Sequence, residues 1–152
     1  CVSHMAYLLV LPSKNPDAGS MGMLLFLLVF TQFNDVCQYV WGKSLGKHKI
    51  VPKVSPNKTW EGFIGGAATV IAASYFFAPY LTPLTSLEGI VAGMLIAFSG
   101  FIGDLVISSV KRDLKIKDTS QFIPGHGGIL DRIDSLMFTA PLFFHYIYYL
   151  YY

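Results

Sequence analysis

Long apolar runs separated by short polar segments dominate the chain. Four runs, at 21–33, 63–81, 89–110 and 136–152, contain almost no charged residue. Several approach the roughly 20 residues that a helix needs to cross a bilayer. The pattern therefore predicts an all-α protein, a polytopic bundle of transmembrane helices.

Prolines and turn residues divide the chain between these runs. Because Pro52 and Pro56 discourage helix, we expect a loop after Trp41-Gly42, and a second loop at 111–132. The predicted elements are a partial helix at 2–12, an outer loop at 13–20, and helices at 21–41, 61–81, 88–110 and 133–152.

Composition agrees with a membrane protein of one domain. The 152 residues are 53% hydrophobic and 13% charged, against roughly 25% charged in soluble domains. Because the chain begins at Cys1 and 2–12 is too short to span, we expect a single membrane-embedded domain at 1–152 that lacks N-terminal transmembrane helices. Cys1 and Cys37 predict neither a disulfide framework nor a zinc site.

The net charge is only +2, but ten of the eleven Lys and Arg residues lie in two windows, 43–58 and 111–132. Loops rich in Lys and Arg stay on the cytoplasmic side, so the sequence predicts two basic cytoplasmic loops. Such clusters could simply set topology or touch anionic lipid. That alternative explains the sign of the charges but not the acidic residues and glycines among them.

The second window has the densest chemistry. Ser108 to Asp134 contains three Lys, two Arg and four Asp around the Gly-rich turn Pro124–Gly128, where the backbone can approach a ligand closely. His126 could donate to a phosphate or be an ordinary turn residue. Phosphates and a divalent cation are the expected ligands.

Carboxylates are predicted to converge at the inner mouth of the bundle. Asp104 lies about 24 Å along helix 88–110, and Asp35 lies at a similar depth. Asp131 and Asp134 follow where the chain re-enters the membrane. Ionisable groups at such depth are expensive and indicate function.

Converging oxygen ligands without thiolates suit a hard cation such as Mg²⁺. The alternative is a set of buried ion pairs between these carboxylates and Lys111, Arg112 or Arg132.

The first basic loop ends in Ser55–Gly62, where a polar turn runs into a helix. Unpaired N–H groups at a helix start, with Lys58 and hydroxyls nearby, can bind an anion. The alternative is an ordinary N-cap by Asn57 or Thr59.

These motifs together resemble a known family. Residues 108–134 follow the pattern S-x-V-K-R-x4-K-D-x-S-x2-I-P-x-H-G-G-I-x-D-R-I-D, which resembles that of the phosphatidate cytidylyltransferases, or CDP-diacylglycerol synthases. Asn34-Asp35, Gly42-Lys43, Gly46-Lys47 and Ser55–Gly62 are similar as well, so the resemblance covers about 30–140. Cys37-Gln38 departs from the small and aromatic pair common in that family, and no function is predicted from it.

The resemblance implies transfer of the cytidylyl group of CTP to phosphatidic acid, giving CDP-diacylglycerol and pyrophosphate for phospholipid synthesis. It implies Mg²⁺ on Asp104 and Asp131, with K⁺ as an expected second cation. The expected catalytic residues are Asp104, Asp131, Lys111, Arg112 and Asp134. The expected substrate- and phosphate-binding residues are Asp35, Ser55, Asn57, Lys58, Thr59, Glu61, Ser108, Lys117, Asp118, His126, Gly127, Gly128 and Arg132.

The expected partners are CTP, phosphatidic acid, the lipid bilayer and a second copy in a homodimer. Because the aromatic run Tyr146–Tyr152 resembles an interfacial belt, no nucleic acid is expected. The expected location is the bacterial inner membrane, with the active site facing the cytoplasm. Two alternatives stay open, a CTP-dependent polyprenol or phytol kinase and a cation transporter.

Overall fold

Five helices and one β-hairpin make up the described part of the chain, which is residues 3–10, 19–115 and 135–151 of a computed structural model, without the side chains of 55–57. The elements are α1 Ser3–Val10, α2 Gly19–Leu45, β1 Lys49–Val51, β2 Ser55–Thr59, α3 Trp60–Leu81, α4 Ser86–Asp113 and α5 Leu136–Tyr151. The predicted all-α class is confirmed.

Three of the helices, α2, α3 and α4, are long and apolar enough to cross a membrane. The longest, α4, has 28 residues, or about 42 Å at 1.5 Å per residue. Many of their large apolar side chains are exposed, as they are when lipid is the solvent. The prediction of a membrane protein is confirmed.

The prediction that the second helix ends near Trp41-Gly42 was wrong, because α2 continues to Leu45. A Cβ placed on Gly62 of α3 would lie 2.8 Å from the Gly42 Cα. Close packing against α3 therefore supports the helix past a residue of poor helix propensity.

The first basic loop also differs from its prediction, since it contains an antiparallel hairpin. Lys49 pairs with Thr59 and Val51 with Ser55. Pro56 is tolerated in β2 because a two-stranded sheet has only edge strands. The hairpin joins α2 to α3 and fixes the direction from which Lys58 enters the bundle.

The opposite end of the bundle is held by a capping box and two tyrosines. Thr85 and Glu88 satisfy each other's backbone N–H groups at the start of α4. The Tyr151 hydroxyl donates to Glu88 Oε2 at 2.7 Å, and the Tyr146 hydroxyl to the Glu88 carbonyl at 3.0 Å. The end of α5 is thereby tied to the beginning of α4.

Glycines let the helices approach one another closely. A Cβ on Gly66 would lie 2.6 Å from Gln38 Cγ, and one on Gly89 would lie 2.6 Å from Ala78 Cβ. Small residues at such contacts are the usual means of packing membrane helices. They bring α2, α3 and α4 together around the polar residues described next.

Candidate functional site

A buried ion pair joins the hairpin to α4. Lys58 Nζ lies 2.8 Å from Asp104 Oδ2, and the two side chains are 21% and 13% exposed. Asp104 precedes the end of α4 by nine residues, which is about 14 Å of helix. Because each charge is largely desolvated, removing one leaves the other unpaired at considerable cost.

Two amide side chains of α2 extend this pair into the bundle. Lys58 Nζ lies 3.5 Å from Gln38 Oε1, and Gln38 Nε2 donates to Asn34 Oδ1 at 3.2 Å. The Phe101 ring lies beneath the ammonium at 5.7 Å. Lys58 is therefore surrounded by a carboxylate, an amide oxygen and an aromatic face, all of which favour a cation.

A small cavity of about 80 Å³ opens beside Lys58. Its lining combines acidic, basic, hydroxyl, amide and aromatic groups from α2, α3 and the hairpin, namely Asp35, Gln38, Tyr39, Lys58, Thr59 and Phe63. Ser135 Oγ, just before α5, donates to Asp35 Oδ2 at 3.1 Å. Polar groups of α2 and the hairpin thus line one cavity near the hairpin end of the bundle, and Ser135 contacts one of them.

Four of the residues predicted for the site are brought together here, Asp35, Lys58, Thr59 and Asp104. Lys58 lines the cavity with Asp35 and pairs with Asp104, so both carboxylates lie near this ammonium. The predicted alternative paired Asp104 with Lys111, Arg112 or Arg132. The partner of Asp104 that the structure shows is Lys58, which that alternative did not include.

The end of α4 carries three more predicted residues. Ser108 is half-buried one turn after Asp104, and Lys111 is half-buried in the last turn. Arg112 is exposed, and its Nε donates to the Val54 carbonyl at 3.3 Å. Arg112 therefore also joins α4 to the hairpin turn.

Apart from Glu61, the other predicted positions have no described side chain. Ser55 and Asn57 are placed in β2 by their backbone alone. The following lie outside the described residues: Lys117, Asp118, His126, Gly127, Gly128, Asp131, Arg132 and Asp134.

Glu61 fastens the hairpin to α3. Its Oε1 lies 2.7 Å from His48 Nδ1, and its Oε2 accepts from the His48 backbone N–H at 3.2 Å. No role was predicted for His48 from the sequence. A role for Glu61 in phosphate binding stays a prediction, whereas its observed contacts join the start of α3 to His48, the residue before β1.

The start of α3 resolves the choice between an anion site and an N-cap. Thr59 is the N-cap, and its Oγ1 accepts from the Gly62 N–H at 3.1 Å. The Trp60 N–H donates to the His48 carbonyl at 3.0 Å. Two N–H groups expected to face a phosphate are thus bonded within the protein, although the Thr59 hydroxyl can still donate its own hydrogen.

The oxygen atoms at this site are ligands of the kind that a hard cation binds. Asp104 and Asp35 supply carboxylate oxygens and Gln38 an amide oxygen, the ligand type that Mg²⁺ prefers. Among the residues that the structure describes, no three His, Cys, Asp or Glu side chains form a metal cluster. An Mg²⁺ ion held by Asp104 would therefore need its remaining ligands from residues outside this description, from substrate phosphates or from water.

Sequence reasoning missed four residues that contribute to the site, Gln38, Tyr39, Phe63 and Ser135. Gln38 could have been found from its spacing, since a second amide one helical turn after Asn34 lies on the same face of α2. No comparable signal singles out Tyr39 or Phe63 among so many aromatic residues.

Comparison of the sequence with known proteins finds relatives over most of the chain. The chain is 55% identical over 148 residues to the uncharacterized protein YnbB of Escherichia coli (strain K12), covering 97% of this chain and 49% of that protein. It is 41% identical over 125 residues to the phosphatidate cytidylyltransferase of Mycobacterium bovis, covering 82% and 40%. It is 42% identical over 122 residues to that of Staphylococcus aureus (strain COL), covering 78% and 46%.

The chain thus spans about half or less of the length of these relatives. The family model described as the cytidylyltransferase family matches residues 1–150. With a match over nearly its whole length, the chain belongs to the cytidylyltransferase family.

Proposed function

We propose that this chain is the catalytic part of a phosphatidate cytidylyltransferase. It transfers the cytidylyl group of CTP to phosphatidic acid and releases pyrophosphate and CDP-diacylglycerol. Family membership and the names of the mycobacterial and staphylococcal relatives support this choice of substrates.

The observation that carries the proposal is the ion pair between Lys58 and Asp104. It joins the Ser55–Gly62 segment to α4, the helix on which the second family-like motif begins, and Lys58 also lines the adjacent cavity. The site offers an ammonium, a carboxylate and the Thr59 hydroxyl, all largely shielded from solvent. These groups suit a reaction between two phosphate-bearing substrates that is assisted by a cation. A channel or transporter has no need of this combination.

In the proposed reaction a phosphate oxygen of phosphatidic acid attacks the α-phosphorus of CTP in line. A new P–O bond forms to the lipid phosphate as the bond between the α-phosphorus and the bridging oxygen breaks, and pyrophosphate leaves with that electron pair. The lipid phosphate is already ionised near neutral pH, with a second pKa of about 6. No side chain has to remove a proton, so positioning and charge neutralisation supply the acceleration.

The residues of this chain divide that work. Lys58 supplies a cation that can move from Asp104 to a substrate phosphate, and Thr59 supplies a hydroxyl donor. Lys111 and Arg112, at the end of α4, serve the outer phosphates as donors that remain charged. Phosphatidic acid enters from the inner leaflet and CTP from the cytoplasm, with the basic loops on that side.

Asp104, with Asp131 from the part of the chain outside the description, would hold Mg²⁺. The ion would draw two anionic substrates together and neutralise charge on the departing pyrophosphate. Asp35, which lines the same cavity, would orient water or a second cation such as K⁺ there.

The test is incorporation of labelled CTP into lipid by the full-length protein carrying Asp104→Asn. We expect a loss of at least about a hundredfold, in the range found when a preorganised charge is removed from a transition state. Asp113→Asn, an exposed change on the same helix, is the matched control and should keep its activity. Turnover near wild type in Asp104→Asn at saturating Mg²⁺ would overturn the proposed mechanism.

Product analysis in the same assay separates the alternatives. CDP-diacylglycerol with an equimolar amount of pyrophosphate supports the proposal. A phosphorylated polyprenol or phytol with CDP would identify a kinase. Ion flux without nucleotide turnover would identify a transporter.

A further inference from the structure

Gln38 is packed against α3 and contacts the Lys58 ammonium. Its side chain is 5% exposed and lies over Gly66 of α3, where a Cβ would come within 2.6 Å of Gln38 Cγ and 2.9 Å of its backbone N. The missing side chain at Gly66 provides the room for the Gln38 stem. The amide group is therefore presented to the cavity from a fixed position.

The direction of that amide is set by its two neighbours. Lys58 can only donate, so Gln38 Oε1 faces its ammonium at 3.5 Å and Gln38 Nε2 donates to Asn34 Oδ1. Turning the Gln38 amide would place an N–H against the ammonium. The resulting order is Asn34, Gln38, Lys58 and Asp104, a continuous chain of polar contacts from α2 to α4.

The cost of this order falls on Asn34. Within the described ranges, its buried Nδ2 has no hydrogen-bond acceptor, and it lies 3.1 Å from the point that a Gly100 Cβ would occupy. A buried donor left without an acceptor costs roughly 1–3 kcal/mol. The unpaired Nδ2 of Asn34 is explained if the oxygen of the Gln38 amide is needed at Lys58, because Gln38 then cannot turn that oxygen toward Asn34.

We propose that Gln38 is a positioning residue, which orients the Lys58 ammonium between Asp104 and the 80 Å³ cavity where substrate phosphate binds. Gln38 acts through Lys58 rather than on the reacting atoms. The kinetic consequence rests on the proposed function, but the placement of Lys58 does not.

The first experiment measures the accessibility of Lys58 in the full-length protein without any assay of activity. Limited acetylation with an N-hydroxysuccinimide ester, followed by peptide mass spectrometry, gives the labelling of Lys58 relative to exposed Lys53. Gln38→Met keeps the size of the side chain but removes both amide contacts, and should raise this ratio about threefold. Gln32→Met makes the same chemical change elsewhere on α2 and should leave the ratio unchanged.

Gln38→Glu separates positioning from loss of packing. Its carboxylate still accepts from Lys58, and more strongly because the bond is charge-assisted, so the labelling ratio should stay at or below that of wild type. A raised ratio in Gln38→Met without a raised ratio in Gln38→Glu supports the proposal. A raised ratio in both variants, or no rise in Gln38→Met, would overturn it.

The second experiment is a double-mutant cycle on cytidylyl transfer. Gln38→Met should lower kcat/KM roughly tenfold, as expected for one hydrogen bond to a charged group. In a Lys58→Met background it should have no further effect. An additive loss there would show that Gln38 acts on packing alone and would overturn the inference.

The two experiments fail differently. A wild-type protein without cytidylyl transfer would refute the proposed function, while the labelling ratio would still test Gln38. An active wild type with an equally active Gln38→Met would refute the inference and leave the proposed function intact.

Discussion

At the scale of single residues, the candidate site depends on charged side chains, which are rare within membrane-spanning bundles because burying a charge is costly. Asp104 and Lys58 are 13% and 21% exposed, and each tolerates this burial because of the other. A pair of that kind adds little net stability over an apolar pair, yet breaking it on one side is costly. Its retention in so apolar a chain supports a functional role.

Lys58→Met should destabilise the protein by about 3 kcal/mol, because it leaves the Asp104 carboxylate unpaired. Thermal unfolding in detergent measures the change. Lys53→Met, at an exposed position of the hairpin turn, is the control and should have little effect.

The double variant Lys58→Met with Asp104→Asn removes both charges and should recover most of the lost stability, although not the activity. Should Lys58→Met unfold at the wild-type temperature, the ion pair would contribute nothing to stability.

At the scale of elements, the site depends on how closely α2 and α3 approach. Three glycines of α3 face α2 near the hairpin, namely Gly62, Gly65 and Gly66. Their neighbours on α2 are Gln38, Trp41 and Gly42, and a Cβ on any of the three glycines would come within 3 Å of an α2 atom, so the two helices are closely packed. The hairpin then follows from the short connection between them and is fastened by His48 and Glu61. The placement of Lys58 is thus a consequence of helix packing.

Gly66→Ala should test that dependence. Alanine favours a helix interior by about 1 kcal/mol over glycine, but its methyl group would lie 2.6 Å from Gln38 Cγ and 3.0 Å from Gln38 Cα. We therefore expect a net loss of stability of roughly 1–3 kcal/mol, as for an overpacked core. Thermal unfolding measures the change.

The comparison for Gly66→Ala is Ala68→Ser, which adds one atom at an exposed position of the same helix. A Gly66→Ala protein more stable than wild type would mean that the two helices are not held at this distance.

At the scale of the whole molecule, the two ends of the bundle differ in charge. The hairpin, the end of α2 and the end of α4 carry Lys and Arg residues. The connection between α3 and α4, residues 82–85, has none. The bias of such residues toward the cytoplasm predicts that the site faces that compartment.

Cysteine labelling of intact cells can establish this orientation. In a full-length protein without its native cysteines, Leu87→Cys lies near residues 82–85, which include no Lys or Arg, and Lys53→Cys lies in the hairpin turn, both at exposed positions. A membrane-impermeant maleimide should label Leu87→Cys in intact cells and Lys53→Cys only after permeabilisation. The reverse pattern would mean that the charge bias does not set the topology.

Local patterns along the chain were enough to predict the class of fold and the approximate span of each helix. They also singled out Asp35, Lys58, Thr59 and Asp104, which the structure places at or beside one cavity, while their roles stay predictions. Apolar runs of bilayer length have few alternatives to helix, because no water is present to satisfy the backbone. The helix ends and the hairpin were predicted less well. They depend on packing at Gly42 and Gly62, which lie far apart in sequence and touch only in the folded chain.

The sequence by itself therefore determined which groups are charged and how deep in the bundle they lie, since both follow from composition and from rise per residue. Only the tertiary structure decided which cation meets which carboxylate. Lys58, from the hairpin, is paired with Asp104, and Gln38 joins them. The physical reason is that partner choice depends on distances across helices, which are set by the missing side chains of glycines and by the path of the hairpin.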